Sequence, residues 1–157
     1  MASEGKWEGK ASAKVPGVSA DKVWAVLDDY GNVYKYLPSI EASSIVSGEP
    51  GKLGCVRLCD GNPHPPSTER TFTNEKLVAY DPASRTLAYE VVENNVGFKD
   101  FVATIKVLPE EDGSCTIEWS FKTAPMPGPN WSADTVMGYI GYSVNHMAAK
   151  IAEEAKP

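Results

Sequence analysis

The sequence is poor in the residues that bind metal ions or nucleic acids. Its two histidines, His64 in a proline-rich loop and His146, lack cysteine or aspartate at zinc-site spacing. Lysine and arginine total 15 against 21 aspartates and glutamates, so the net charge is −6 and unsuited to phosphate backbones. No phosphate-binding or dinucleotide-binding motif is present. We therefore expect no metal centre, no cofactor and no nucleic-acid partner.

Long apolar runs and paired cysteines are also missing. No run approaches the ~18 apolar residues of a membrane span, and Met1–Lys6 lacks the apolar segment of a signal peptide. The three cysteines cannot all pair. Cys55 and Cys59 lie about 13 Å apart on one strand, at about 3.3 Å per residue, which is too far for a disulfide. We expect reduced cysteines in a cytoplasmic protein with no integral membrane association.

The residues that are present alternate with the periods of strands and short helices. At 157 residues and 42% hydrophobic side chains, the chain is predicted to form one domain, residues 1–157. Ser19 is placed to cap a first short helix, and a second is predicted at Val33–Leu37. Period-two alternation predicts seven strands: Lys6–Val15, Ile40–Ser47, two within Gly54–Leu77, Thr86–Glu93, Asp100–Leu108 and Cys115–Lys122.

A long amphipathic helix is predicted at Ser132–Glu154, where apolar residues recur at i, i+3, i+4 and i+7. Tyr139, Tyr142 and His146 sit at one flank of this apolar stripe, and His146 faces either a cavity or solvent. Antiparallel neighbours can curve into a half-barrel that buries the stripe. We predict an α+β fold in which a curved seven-stranded sheet wraps around the helix. The space between them is either an apolar cavity or a filled core.

Two charged residues stand on neighbouring strands of the predicted sheet. Alternation places Arg57 on one face with Cys55 and Cys59, and Glu75 on one face with Thr71 and Thr73. Spacing alone allows a surface ion pair worth under ~1 kcal/mol, or a pair that points into a pocket. We interpret the cysteines as packing residues; the alternative is that the guanidinium activates a thiol.

Several motifs resemble the helix-grip superfamily, which contains the START domains, the birch pollen allergen family and polyketide cyclases. Within it, the chain resembles the plant lachrymatory factor synthase-like group over nearly its whole length. The motifs that carry this resemblance are Lys6-Trp7-Glu8-Gly9-Lys10, the segment Trp24–Pro38, Gly54-Cys55-Val56-Arg57, Glu75-Lys76-Leu77-Val78-Ala79, Thr104 and Trp119-Ser120-Phe121.

The resemblance implies a helix-grip fold and a catalytic pair. The synthase isomerises a small alkenyl sulfenic acid, and its essential arginine and glutamate correspond to Arg57 and Glu75. A cavity tyrosine of the synthase is kept as Tyr89, whereas a second is replaced by Phe101. Its strand tryptophan is kept as Trp119, and its helix tryptophan becomes Tyr142. Together with the helix stripe, this gives an expected cavity lining of Phe72, Phe101, Trp119, Tyr139, Tyr142 and His146, with Trp131 at the mouth.

These residues support three interpretations of function. In the first, the protein is a cofactor-free isomerase in which Glu75 moves a proton, Arg57 stabilises negative charge and Tyr89 adds a polar contact. In the second, it carries or senses a small hydrophobic or amphipathic metabolite without catalysis, and Arg57 anchors a ligand carboxylate. In the third, a packed interior leaves only partner contacts. We expect a monomer in each case.

Overall fold

Within the described residues, 5–63, 68–129 and 131–155 of the computed structural model, seven strands and two α-helices are present. His64 lies outside the described residues. The helices are α1 (Ala20–Asp28) and α2 (Ala133–Glu154). The strands are β1 (Trp7–Val15), β2 (Ile40–Ser47), β3 (Val56–Gly61), β4 (Thr71–Asp81), β5 (Thr86–Asn94), β6 (Val102–Pro109) and β7 (Cys115–Thr123).

The strands form one antiparallel sheet in the order β1-β7-β6-β5-β4-β3-β2 among the described residues. Strands β2 to β7 form a meander in which consecutive strands are neighbours. The last strand, β7, also pairs with the first, β1. Buried and half-buried side chains alternate along most of β3 and β7, as the period-two pattern predicts. The sheet therefore has one inner face, and the helix-grip architecture expected from the sequence is confirmed.

Helix α2 covers the inner face and packs against β1. A capping box starts it, because the Ser132 hydroxyl accepts from the Thr135 amide and the Thr135 hydroxyl accepts from the Ser132 amide. The side chains buried by this contact are Val136, Ile140, Ser143, Val144, Met147, Ala148 and Ile151. Their spacing reproduces the predicted apolar stripe.

The segment between α1 and β2 differs from the prediction. Ser19 caps α1 as expected, with its hydroxyl accepting from the Lys22 amide at 3.3 Å. The second short helix is a 3₁₀ helix at Tyr30–Lys35, earlier than the predicted Val33–Leu37. Tyr30 sets this start, because its ring is buried and its hydroxyl donates to the Glu75 carbonyl oxygen at 2.9 Å.

Strand β6 begins two residues later than predicted. Asp100 has a φ of +56°, a left-handed conformation that a strand residue does not adopt. Phe101 therefore precedes the strand instead of lying within it, although its side chain still enters the core.

We expect Gly9→Val to destabilise the fold by about 1–3 kcal/mol, because overpacking forces neighbours to move. A Cβ at Gly9 would overlap the Met137 sulfur and meet the Phe121 ring at 3.1 Å, where β1 touches α2. Urea unfolding followed by circular dichroism measures the change. As a control, Gly138→Ala on the open side of α2 should stabilise the protein by up to ~1 kcal/mol. Equal stability of Gly9→Val and the parent would contradict this packing.

Candidate functional site

A cavity of about 220 Å³ lies on the inner face of the sheet, between β3, β4, β5, β7 and α2. An apolar cavity of about 150 Å³ already accepts benzene, so this one has room for a somewhat larger small molecule. The filled-core alternative is therefore wrong for this part of the interior. Asn62 and Pro63 are exposed cavity residues, which places the mouth at the end of β3.

Arg57 and Glu75 meet on the wall of this cavity. They are directly opposite in the register of β3 and β4, so their side chains leave the sheet on the same face. Arg57 donates from Nε to one carboxylate oxygen, Oε1, at 2.8 Å, and its Nη2 lies 2.7 Å from the same oxygen in an ion pair. The two residues are only 4% and 7% exposed. The surface-pair alternative is wrong, and the pair belongs to the interior.

Two tyrosines complete the surroundings of the guanidinium. Arg57 Nη1 donates to the Tyr30 carbonyl oxygen at 3.1 Å. Its Cζ lies 3.9 Å from the centre of the Tyr30 ring and 4.9 Å from that of Tyr89, both within cation–π range. Burial lowers the pKa of Arg57, but the Glu75 carboxylate outweighs burial and holds that pKa above its ordinary value. Arg57 therefore stays positively charged, and its contacts with Glu75 and Tyr30 fix its position.

The second oxygen of Glu75 is held from the neighbouring positions. Thr73, two residues earlier on the same face of β4, donates from its hydroxyl to Oε2 at 2.8 Å, and the Cys59 thiol hydrogen-bonds the same carboxylate. Burial, followed by the charge of Glu75, raises the pKa of Cys59 well above its usual value. The activated-thiol alternative is thus wrong. Thr73 was detectable from its spacing to Glu75, but its role was not predicted.

Aromatic side chains form the remaining wall. The Tyr89 and Phe101 rings lie 6.4 Å apart, Phe101 and Phe98 lie 4.6 Å apart, and Phe98 lies 6.3 Å from Trp131. Burial raises the pKa of Tyr89 well above its ordinary value, so its hydroxyl stays protonated. Phe98, which the sequence did not single out, links the pocket lining to Trp131. Phe72, Trp119 and Tyr139 also line the cavity.

The expected cavity positions of Tyr142 and His146 are wrong. Tyr142 is 53% exposed, His146 is exposed, and neither lines the cavity. At 3.6 residues per turn, Tyr142 lies more than half a turn from Ile140, which faces the sheet. The Tyr142 and His146 rings instead contact each other outside, with centres 4.3 Å apart. Tyr139 does reach the cavity, where its hydroxyl and that of Ser39 are 3.1 Å apart.

The three cysteines are free and buried. Among the described residues, no three histidine, cysteine, aspartate or glutamate side chains cluster as metal ligands. No described helix combines the length and the apolarity needed to cross a membrane.

A curved antiparallel sheet, a long helix across it and a cavity between them define a helix-grip protein of the birch pollen allergen type. The chain belongs to the polyketide cyclase/dehydrase and lipid transport family, whose model matches residues 6–152.

Solved structures show the same fold in plants and bacteria. Ginseng major latex-like protein 151 from Panax ginseng is 17% identical, with a TM-score of 0.74 over 98% of this chain and 99% of that chain. The protein XoxI from Bacillus cereus is also 17% identical, with a TM-score of 0.74 over 94% of both chains. A protein from Thermobifida fusca is 21% identical, with a TM-score of 0.72 over 94% and 95%.

We expect Arg57→Met alone to destabilise the protein by about 3–5 kcal/mol, because it leaves the Glu75 charge buried without a partner. Adding Glu75→Leu should recover most of that loss, since packed apolar side chains replace buried ion pairs well. Urea unfolding of the two single variants and the double variant gives the coupling free energy.

The exposed pair between Lys14 and Asp112, 3.0 Å apart, provides the matched control. Lys14→Met should change the unfolding free energy little, because solvent screens that pair. Additive losses in the Arg57 and Glu75 variants would contradict the coupling inferred from the geometry.

Proposed function

We propose that the protein is a cofactor-free isomerase that moves a proton within a small, mostly apolar metabolite bound in the cavity. One observation carries the proposal: an ionised Arg57–Glu75 pair forms part of the wall of an otherwise largely aromatic and aliphatic pocket. A carboxylate can transfer a proton and a guanidinium can stabilise developing negative charge, which are the two roles a proton-transfer rearrangement needs. The match to a family that includes cyclases and dehydratases is in keeping with catalysis.

In the proposed reaction, Glu75 acts as acid and base. Glu75 lines the cavity; its Oε1 accepts from Arg57 Nε and lies in ion-pair contact with Nη2, whereas Oε2 accepts from Thr73. Oε2 takes a proton from one substrate atom, and the electron pair of the broken bond shifts toward an electronegative atom. The same proton returns to a second atom, so that substrate and enzyme balance without an oxidant or a reductant.

Arg57 stabilises the charge that develops on the substrate. Its Nε donates to Glu75, its Nη1 donates to Tyr30 and its Nη2 forms an ion pair with Glu75, so the cation needs no reorganisation during the reaction. The Tyr89 hydroxyl, near the same guanidinium, would supply a neutral hydrogen bond. The resemblance to the lachrymatory factor synthase-like group supports this division of roles. Phe101, which lacks the hydroxyl of the corresponding synthase tyrosine, favours a substrate other than the alkenyl sulfenic acid.

A non-catalytic carrier or sensor is the second candidate. It is favoured by the hydrogen bonds of the pair, because both Glu75 oxygens already accept one and part of the acceptor capacity that a base needs is in use. The description of the family, which includes lipid transport, is equally compatible with it. In this version Arg57 and Glu75 organise the pocket wall.

The proposed setting is the cytosol, with the chain acting as a monomer. Free, buried thiols at Cys55, Cys59 and Cys115 suit a reducing compartment.

We expect Glu75→Gln to lower turnover by about 10²–10⁴-fold, since the amide cannot accept the proton. The protein and the variant are incubated with small-molecule extracts of plant and bacterial cells in deuterated water. Mass spectrometry then follows deuterium uptake. A metabolite labelled by the parent but not by the variant identifies the substrate and supports Glu75 as the base.

Glu118→Gln, on β7 beside Lys10, is the control and should leave labelling intact. Equal labelling by the parent and Glu75→Gln would remove the catalytic role of Glu75. If no compound is labelled but one remains bound to both proteins, the carrier candidate replaces the isomerase.

A further inference from the structure

Most of the polar groups in the cavity wall already have partners. The guanidinium of Arg57 and the carboxylate of Glu75 hold each other, and Thr73 donates to the same carboxylate. The hydroxyls of Ser39 and Tyr139 share a hydrogen bond. Together these groups carry no net charge, and their hydrogen bonds are made to one another.

Two donors in the same wall remain uncommitted. The indole Nε1 of Trp119 is buried and has no hydrogen-bond partner among the described residues. The Tyr89 hydroxyl also makes no hydrogen bond to a described residue, but it is not among the fully buried atoms, and its raised pKa keeps it a protonated donor. Tyr89 is 5% exposed and Trp119 is 3% exposed, and both line the cavity. A fully buried donor is normally satisfied, so the Trp119 indole calls for an acceptor, and the Tyr89 hydroxyl in the same wall is open to one.

We infer that the cavity binds a small uncharged molecule that presents an acceptor oxygen, such as a carbonyl, to the Tyr89 hydroxyl and the Trp119 indole. The size follows from the cavity volume of about 220 Å³. The body of the ligand is flat or apolar, because Phe98, Phe101 and Val91 supply the rest of the surface.

The absence of charge on the ligand follows from the Arg57–Glu75 pair. Glu75 already neutralises Arg57, whose Nε and Nη1 donate hydrogen bonds and whose Nη2 is in the ion pair. A ligand carboxylate would enter a low-dielectric pocket without a free counter-charge, or would have to displace Glu75 and leave that carboxylate unpaired. The geometry thus opposes the version of the carrier in which Arg57 anchors a carboxylate.

This inference rests on the proposed function only in requiring that the cavity bind a small molecule, and it holds for an isomerase or a carrier. It is tested with three probes of similar size: acetophenone, which has an acceptor oxygen, ethylbenzene, which lacks one, and benzoate, which is charged. Titrations followed by NMR give the dissociation constants. We expect benzoate to bind at least tenfold more weakly than acetophenone.

The donors are tested by the ratio of acetophenone to ethylbenzene affinity in Tyr89→Phe and Trp119→Phe. The ratio removes repacking effects, because ethylbenzene experiences the same change in cavity shape. Loss of one hydrogen bond should lower the ratio by roughly two- to tenfold. Val91→Ala, which removes apolar lining only, should leave the ratio unchanged. A lower affinity ratio in either variant identifies the substituted residue as the donor and supports the inference. An unchanged ratio in both variants overturns it.

A measurement on the parent protein does not depend on the variants folding. The NMR signal of the Trp119 or Tyr89 donor proton should shift downfield when acetophenone binds but not when ethylbenzene binds. If benzoate binds more tightly than the other two probes, the inference is overturned. The failure of this proposal is distinct from that of the isomerase. In the parent protein, a preference for acetophenone over ethylbenzene without turnover indicates a carrier, whereas turnover without that preference indicates a different binding mode.

Discussion

The buried ion pair between Arg57 and Glu75 constrains more of the structure than any other contact. Removing two charges from water is costly, and the attraction between them compensates only if the remaining polar atoms also find partners. The chain supplies these from three elements: Tyr30 from the 3₁₀ helix, Thr73 from β4 and Cys59 from β3. The pair therefore fixes the register of β3 on β4 and ties the segment after α1 to the sheet.

The position of the cavity follows from where the helix touches the sheet. Helix α2 approaches β1 so closely that a side chain at Gly9 would displace Met137, whereas β3, β4 and β5 face the open space. A curved sheet cannot contact a straight helix along its whole width, and the gap falls beside the ion pair. Tyr89 and Phe101 line this gap but do not fill it. Packing at one edge of the sheet thus creates the binding space at the other.

Alternation predicted which side chains share a face but could not predict how deep that face lies. Arg57 and Glu75 were correctly paired on one side, yet their burial depends on Tyr30, whose contribution is partly a backbone carbonyl and leaves no trace in a residue pattern. Thr73 was placed on the right face without its bond to Glu75. On α2, the predicted apolar face is wider than the observed one. The prediction places Tyr142 in the cavity, but its position around the helix axis exposes it to solvent.

The fixed positive charge of Arg57 lies beside neutral hydrogen-bond donors, and this arrangement explains how one pocket can serve either catalysis or transport. Charge that develops on a bound oxygen would meet the protonated Tyr89 hydroxyl, backed by the guanidinium of Arg57 at 4.9 Å from its ring. A ligand that never ionises would use the same hydroxyl in its ground state only. The difference then lies in Glu75: catalysis requires an Oε2 lone pair that points at a transferable proton while Thr73 keeps its bond. Because Thr73 fixes the direction of that oxygen, the geometry at Glu75, more than the shape of the cavity, decides between an enzyme and a carrier.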